Sequence, residues 1–331
     1  YSPSERVLNG DVMLEVLFTG SGGLASVSLK GDLYSMCEVP ERPTAPVRGN
    51  IVVIFDNENK TFDANANIFI NAYSAVKGEG SMKFHIEPGS WYLSVGKPSN
   101  PNTIRILNKV NATAYFMVGN AIEPANAPPP EIQAILGSGT NLPPRDNTSL
   151  SQGSGFCTGA GIRSDFDKQI GYNDFSIHAA YSFGLGFDLM MMNYGKNGYC
   201  QSTNEKIGMK GWLAEGAMYL WMSGSLDIRG IVKVPSVCYK EVDGPPYPCG
   251  TIYDPKICHD KISVAYPCIE DKNFNKPIFT AAVAAMVQGK LPNPMYFRGD
   301  FSCTYDVFGI LKGNYTFDYE YGKNCTPVKS L

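Results

Sequence analysis

The side chains that could do chemistry are few: three histidines (His85, His178, His259), three tryptophans and nine cysteines in 331 residues. His85 falls opposite the apolar positions of a strand-like stretch, and His178 lies within an apolar run. Neither stands beside a serine or cysteine in a context that makes a nucleophile–base pair. "CHD" at Cys258 to Asp260 offers metal-ligand types. The two-residue cysteine spacing of zinc knuckles and redox motifs is missing throughout, so disulfides are favoured and no metal or cofactor is assigned. "DANAN" matches the opening of a calcium loop and then fails, with Ile68 where glycine belongs and Ser74 where glutamate belongs. Asp165, Asp167 and Asp174 in "DFDKQIGYND" make a weaker version of the same pattern. "GSGFCTGAG" is not followed by a helix carrying Lys-Ser/Thr, so it is no phosphate loop. Trp91, Trp212 and Trp221 offer platforms for sugars, but nothing pairs two carboxylates for glycoside hydrolysis. The expectation is a protein without a catalytic centre.

Eight cysteines follow residue 150: Cys157, Cys200, Cys238, Cys249, Cys258, Cys268, Cys303 and Cys325. All eight are disulfide candidates, which implies an oxidising compartment. Cys37 is isolated in the N-terminal third and reads as a buried free thiol or a bridge to another chain. Asn-x-Ser/Thr sequons at Asn59, Asn111, Asn147, Asn314 and Asn324 are candidate glycosylation sites. The chain begins at Tyr1 with no signal peptide, as a processed secreted protein or a fragment would.

Only 18% of residues are charged, with a net charge of −3 and no Lys/Arg cluster, which argues against nucleic acid as a partner. No apolar stretch reaches the ~20 residues of a transmembrane helix. The dominant periodicity is two. In "TFDANANIFIN", Phe62, Ala64, Ala66, Ile68 and Ile70 share one face and Asp63, Asn65, Asn67 and Asn71 the other. "SMKFHIEPGSWYLSVG" is a hairpin, with Pro88 and Gly89 at the centre of a type II turn. "IFTAAVAAMVQGKL" fits helix or strand and is read as a strand because of its β-branched residues and its neighbours. Proline-rich "EPANAPPP" and "NLPPRDN" enclose a short helix at Glu131 to Leu136. The organisation expected is an N-terminal β domain (1–122), a linker or covering segment (123–150) and a cysteine-rich C-terminal β domain (151–331). The fold class is all-β: antiparallel sheets, sandwich- or barrel-like, disulfide-stabilised, with few short helices. In "KLPNPMYFRGDF", Pro292-Asn293-Pro294 is read as a turn and Gly299 as the start of the next strand. The Arg-Gly-Asp at 298–300 is a structural corner rather than an adhesion motif.

Three segments, taken in order, resemble a recurring block of very large secreted surface proteins familiar chiefly from Bacteroidetes bacteria. They are "GSWYLSVGKPSNPNTIRILNKVNATAYFMVGNAIEPANAPPPEIQAIL", "GWLAEGAMYLWMSGSLDI" and the stretch from "AAMVQGKLPNPMYF" to "YGKNC", with its Leu-Pro-Asn-Pro hallmark. The likeness covers roughly residues 50 to 325. It implies an extracellular or surface location and brings no activity or catalytic residue. The turn-rich insert holding Cys238 to Cys268 and the lone Cys37 depart from it. The function expected is that of a non-enzymatic extracellular structural protein that self-associates, as a filament or surface-layer subunit. Its partners are then copies of itself or neighbouring surface proteins. The alternative is a carbohydrate-binding adhesin with glycan partners, using Trp and Tyr platforms with Asn/Asp ladders such as that of 63–71, and behind it a glycoside hydrolase.

Overall fold

The computed structural model describes residues 7–73, 75–137, 148–172 and 174–328. The N-terminal half holds β1 (Asn9–Phe18), β2 (Leu24–Ser35), a 3-10 turn (Val39–Thr44), β3 (Val47–Asp56), β4 (Thr61–Ala72), β5 (Val76–Glu87), β6 (Ser90–Val95), β7 (Asn102–Ile106) and β8 (Val110–Asn120). Two short helices follow, α1 (Pro130–Leu136) and α2 (Thr148–Ser151). Next come β9 (Ser154–Tyr172), β10 (Phe175–Asn193), β11 (Tyr199–Cys200), β12 (Trp212–Asp243), β13 (Tyr247–Pro248), β14 (Ile257–Cys258) and β15 (Lys261–Leu291). The chain closes with β16 (Tyr296–Val307), β17 (Leu311–Gly322) and β18 (Pro327–Val328). The all-β, antiparallel, disulfide-stabilised class is the one the sequence points to. Gly89 takes φ +86°, as the second central residue of the Pro88-Gly89 turn requires, and the ambiguous 278–291 stretch is strand. After the Pro292–Pro294 turn the next strand starts at Tyr296, before Gly299.

The long strands join one antiparallel sheet in the order β1-β2-β3-β4-β5-β6-β8-β9-β10-β12-β15-β16-β17, with β7 bridging β5 and β8. The expectation of a sandwich or barrel resolves into a single open path that ends on β1 and β17. The halves expected as separate domains share this sheet, because β8 pairs with β9 from Val110↔Ser164 to Asn120↔Ser154. The described parts of the chain between them pack on a face of the sheet instead of spacing two sheets apart. At ~4.8 Å per strand, thirteen strands span roughly 60 Å. The accessible surface is 20881 Å², against roughly 13,000 Å² expected for a compact protein of 36.1 kDa. Such an excess is what a sheet covered on one side only would show.

The covering material lies on the polar face. Ile122, Ala125 and Leu150 pack with Met117, Cys157, Met190, Met192 and Leu213 of the sheet in one buried cluster. In a second, Ile132 and Leu136 of α1 pack on Trp221, Ala284 and Met286. Proline suits this segment: it has no ladder to join, and Pro130 opens α1 where a backbone donor would go unused. Glu123 accepts from Ser99 (Oγ, 2.6 Å) and pairs with Lys97, while Glu131 pairs with Arg163 of β9.

β12 and β15 run on past their neighbours. β10 leaves β12 at Gly230 and β16 leaves β15 at Phe279, so the pairs from Ile231↔Asn273 to Asp243↔Lys261 form a bare two-stranded arm. A ribbon of two strands is marginal in water. Cys238–Cys268 (Cα–Cα 5.7 Å) and Cys249–Cys258 (Cα–Cα 5.7 Å) cross-link it and its tip.

Ile132 is fully buried at the centre of the second cluster. Ile132→Ala is expected to lower stability by roughly 2–5 kcal/mol, read from the urea midpoint, if α1 is part of the cooperative fold.

Candidate functional site

The register places the two faces of the sheet unambiguously. Even-numbered residues of β4 from Phe62 to Ala72 share a face with odd-numbered residues of β3 from Val47 to Phe55. Farther along, odd-numbered residues of β10 from Phe175 to Met191 meet even-numbered residues of β12 from Ala214 to Gly230. These in turn meet odd-numbered residues of β15 from Phe279 to Leu291, of β16 from Phe297 to Val307 and of β17 from Leu311 to Tyr321. Every one of these positions is apolar, aromatic, Gly or Cys. Among the described residues of the sheet proper, the charged side chains on this face are Lys168 and Lys276, both near the end from which the arm projects.

The face is bare. Met218 is 68% exposed, Leu220 43%, Phe317 54% and Val12 68%, whereas the buried hydrophobic and charged side chains of the sheet point to the polar side. A monomeric soluble protein rarely exposes a contiguous apolar patch beyond ~600 Å². Aromatic pairs pave the surface, with Phe62 near Phe84 (5.9 Å), Phe166 stacked on Tyr181 (5.3 Å) and Phe301 against Tyr315 (6.2 Å). Tyr305 lies over Gly313 and Phe297 over Gly289, so that a Cβ at either glycine would strike the ring. Two hollows, each of about 280 Å³, open on this face around Ile68, one reaching Ile104 and Ala114 and the other Leu33 and Ile51.

The polar face holds His85, His178, Asp165 and Asp167, already paired, while His259 at the arm lies 2.8 Å from the Gly244 carbonyl oxygen. His178 sits between Asp167 (Nε2–Oδ1 2.9 Å) and Asp227 (Nδ1–Oδ2 3.2 Å), with Arg229 2.8 Å from Nδ1. His85 is 2.8 Å from Asp63. Among the described residues, neither histidine bonds a serine or cysteine. Asp165 accepts from Arg163 and Ser182 (both 2.7 Å), and the Arg163 bond leads in holding its carboxyl below the usual range. Two carboxylates of the calcium-like pattern are thus engaged, Asp165 by Arg163 and Ser182 and Asp167 by His178. A depression of about 530 Å³ between Asp165 and Asp306 has a floor of small residues, Ser182, Ser225 and Thr280 among them. Trp91 and Trp212 lie on the apolar face and Trp221 is buried under α1, while the Asn65–Asn67–Asn71 ladder lies on the opposite face. The proposed sugar platforms and polar ladder are therefore not brought together.

Six of the eight cysteine candidates pair, the third bridge being Cys200–Cys325 (Cα–Cα 5.5 Å). Cys157 and Cys303 are corrected to free thiols. The alternation had the reason in it: Cys157 lies on the polar face of β9 and Cys303 on the apolar face of β16, with β10, β12 and β15 between them. Cys37 is a buried free thiol beside Asn9. Cys238, Cys268 and Glu270 lie close enough to hold an ion, but the two sulfurs are bonded to each other. Asn59, Asn314 and Asn324 are exposed, Asn111 is half-buried within β8, and Asn147 lies outside the described residues. In the Arg-Gly-Asp, Arg298 donates to Asp300 (Nη2–Oδ1 2.9 Å) and the Asp300 side chain is 1% exposed, so the tripeptide is closed on itself.

Neither family models, curated proteins nor solved structures contain a match to this chain.

Burial first, with Glu123 and Asp188 nearby, pushes the Cys157 thiol up to about 12. Iodoacetamide at mildly alkaline pH is expected to spare Cys157 in the folded protein and to label it in urea, read by peptide mass spectrometry. Asp300→Ala removes a buried carboxylate that accepts from Arg298 and is expected to cost about 1.5–3 kcal/mol in urea unfolding.

Proposed function

We propose that this protein is a non-enzymatic extracellular structural subunit that joins copies of itself edge to edge, building a filament or surface layer. The observation that carries the reading is the self-complementary edge strand β17. A long unprotected edge with free backbone donors and acceptors is what native proteins ordinarily block. Here twelve residues from Leu311 to Gly322 form the last strand, with no proline, and Tyr315, Phe317, Tyr319 and Tyr321 are all more than half exposed.

Successive strands are antiparallel and the path has thirteen of them, an odd number, so β1 and β17 point the same way. A head-to-tail joint of β17 to β1 is then parallel. A two-fold joint of β17 to β17 is antiparallel, the slightly stronger pairing per residue, and leaves both apolar faces on the same side. With the axis at Thr316, Lys312 falls opposite Glu320 of the second copy and Asn314 opposite Asp318. On the apolar side, Gly313 meets Tyr319, repeating the ring-over-glycine contact of Tyr305 with Gly313. The β1 edge has no such symmetry about Met13, where Asp11 would meet Glu15. A second kind of joint there would extend the dimer into a polymer. A glycan on Asn314 would sit at the β17 joint and block it. Three disulfides and the likeness to large secreted proteins support an extracellular setting.

Lys312→Glu sets acid against acid in the joint and is expected to weaken association about tenfold or more by sedimentation velocity, with an equimolar mixture of Lys312→Glu and Glu320→Lys chains restoring it. A mixture that associates no better than either variant alone would remove this joint.

A further inference from the structure

We propose that the polar face holds a binding site for a single neutral sugar residue, centred on Phe69. This site goes beyond self-association through the sheet edges and does not rest on it. Alternation puts Phe69 on the same face as Asn65, Asn67 and Asn71, where it is 46% exposed. The ladder that faces away from Trp91 thus carries an aromatic of its own. On β5, Glu79 lies directly opposite Phe69 and Ser81 opposite Asn67. The turn into β7 closes the other side with Asn100 and Asn102, and these residues line a hollow of about 160 Å³.

The hollow is held in shape by the chain itself. Asn67 donates to Asn50 (Nδ2–Oδ1 2.9 Å), and Asn102 Oδ1 accepts from the Ser81 N–H (2.8 Å), which fixes both amides. Lys97 and Asn100 exchange two backbone hydrogen bonds, each 3.0 Å. The covering segment ties the same turn down: Ser99 Oγ donates to Glu123 (2.6 Å), and Asn126 donates to the Pro98 carbonyl.

The lining selects the ligand. A pyranose has a face of C–H bonds and a rim of hydroxyls, each of them donor and acceptor at once. Phe69 offers a ring to the C–H face, the amides of Asn67, Asn100 and Asn102 offer donors and acceptors, and Glu79 accepts from hydroxyls. No lysine or arginine is among the lining residues described, so a phosphate group has no cation to meet. An apolar side chain of a protein partner would bury Glu79 and the amides without partners. At about 160 Å³ the hollow is smaller than the ~300 Å³ of a drug-sized pocket and takes one ring. Arg48 lies on the opposite side of Phe69 from Glu79, which makes an acidic sugar the competitor to exclude.

The test is saturation-transfer difference NMR of the whole chain with four neutral probes and one charged one. The neutral probes are methyl β-glucoside, methyl β-galactoside, methyl α-mannoside and N-acetylglucosamine, and the charged one is glucuronate. The expected result is transfer to at least one neutral probe, strongest at the C–H protons of one ring face. Transfer to the glucoside or galactoside marks a polysaccharide as the source. Transfer to the mannoside or N-acetylglucosamine marks an N-glycan, and either supports the site. Phe69→Ala removes a half-exposed ring and is expected to cut the signal at least about fivefold. Glu79→Gln keeps the shape of the hollow and is expected to weaken binding about twofold or more. Trp91→Ala on the apolar face is expected to leave it unchanged. The Lys312→Glu chain is expected to bind as the wild type does, which separates failure of the edge joint from failure of this site. Three results would overturn the proposal: no transfer to any neutral probe, transfer to glucuronate alone, or transfer that survives Phe69→Ala.

Discussion

Everything in this structure depends on an alternation of period two kept up across thirteen strands with only one face covered. A sheet is stable when its apolar side is removed from water by a second layer. Here the second layer, made of the proline-rich segment, α1 and α2, sits on the polar side. It buries Trp221, Met190, Met192 and Met286 there while the uniformly apolar side stays open. The chain thus leaves more of its large apolar side chains exposed than it buries. Its accessible surface, well above that of a compact protein of the same mass, is the measure of that imbalance.

Two consequences follow for how such a protein works. Its acid–base chemistry on the polar face is self-contained: carboxylates, histidines and arginines are matched to one another, as in His178 with Asp167, Asp227 and Arg229. Contacts with other copies then fall to the edges, where backbone groups are unmatched, beside a bare face of exposed hydrocarbon. The arm of β12 and β15 adds a third exposed element, and its two cross-links keep a ribbon with no sheet on either side in one shape.

Much of this was legible in the sequence, because strand alternation is a local property. The 61–72 strand, the Pro88-Gly89 hairpin and the α1 helix stand where periodicity and turn chemistry put them. What was not legible depends on register between distant strands. Cys157 and Cys303 were two of eight disulfide candidates with no pairing assigned, and register between β9 and β16 was needed to see that they face opposite sides of the sheet. Trp91 and the Asn65–Asn71 ladder seemed to belong to one sugar site, and alternation across β4 to β6 sets them back to back. The 123–150 segment read as a linker or a covering segment because proline ends strands; choosing the second for its described parts required knowing that β8 and β9 pair. That the apolar side would be left uncovered is a property of the whole sheet, and no single strand announces it.

The central claim is that open sheet edges make this chain associate. Sedimentation equilibrium of the glycan-free protein over a wide concentration range tests it most directly. The account requires a mass that rises with concentration from 36.1 kDa through twice that value and beyond. A single species at 36.1 kDa, unchanged at the highest concentration reached, would contradict it.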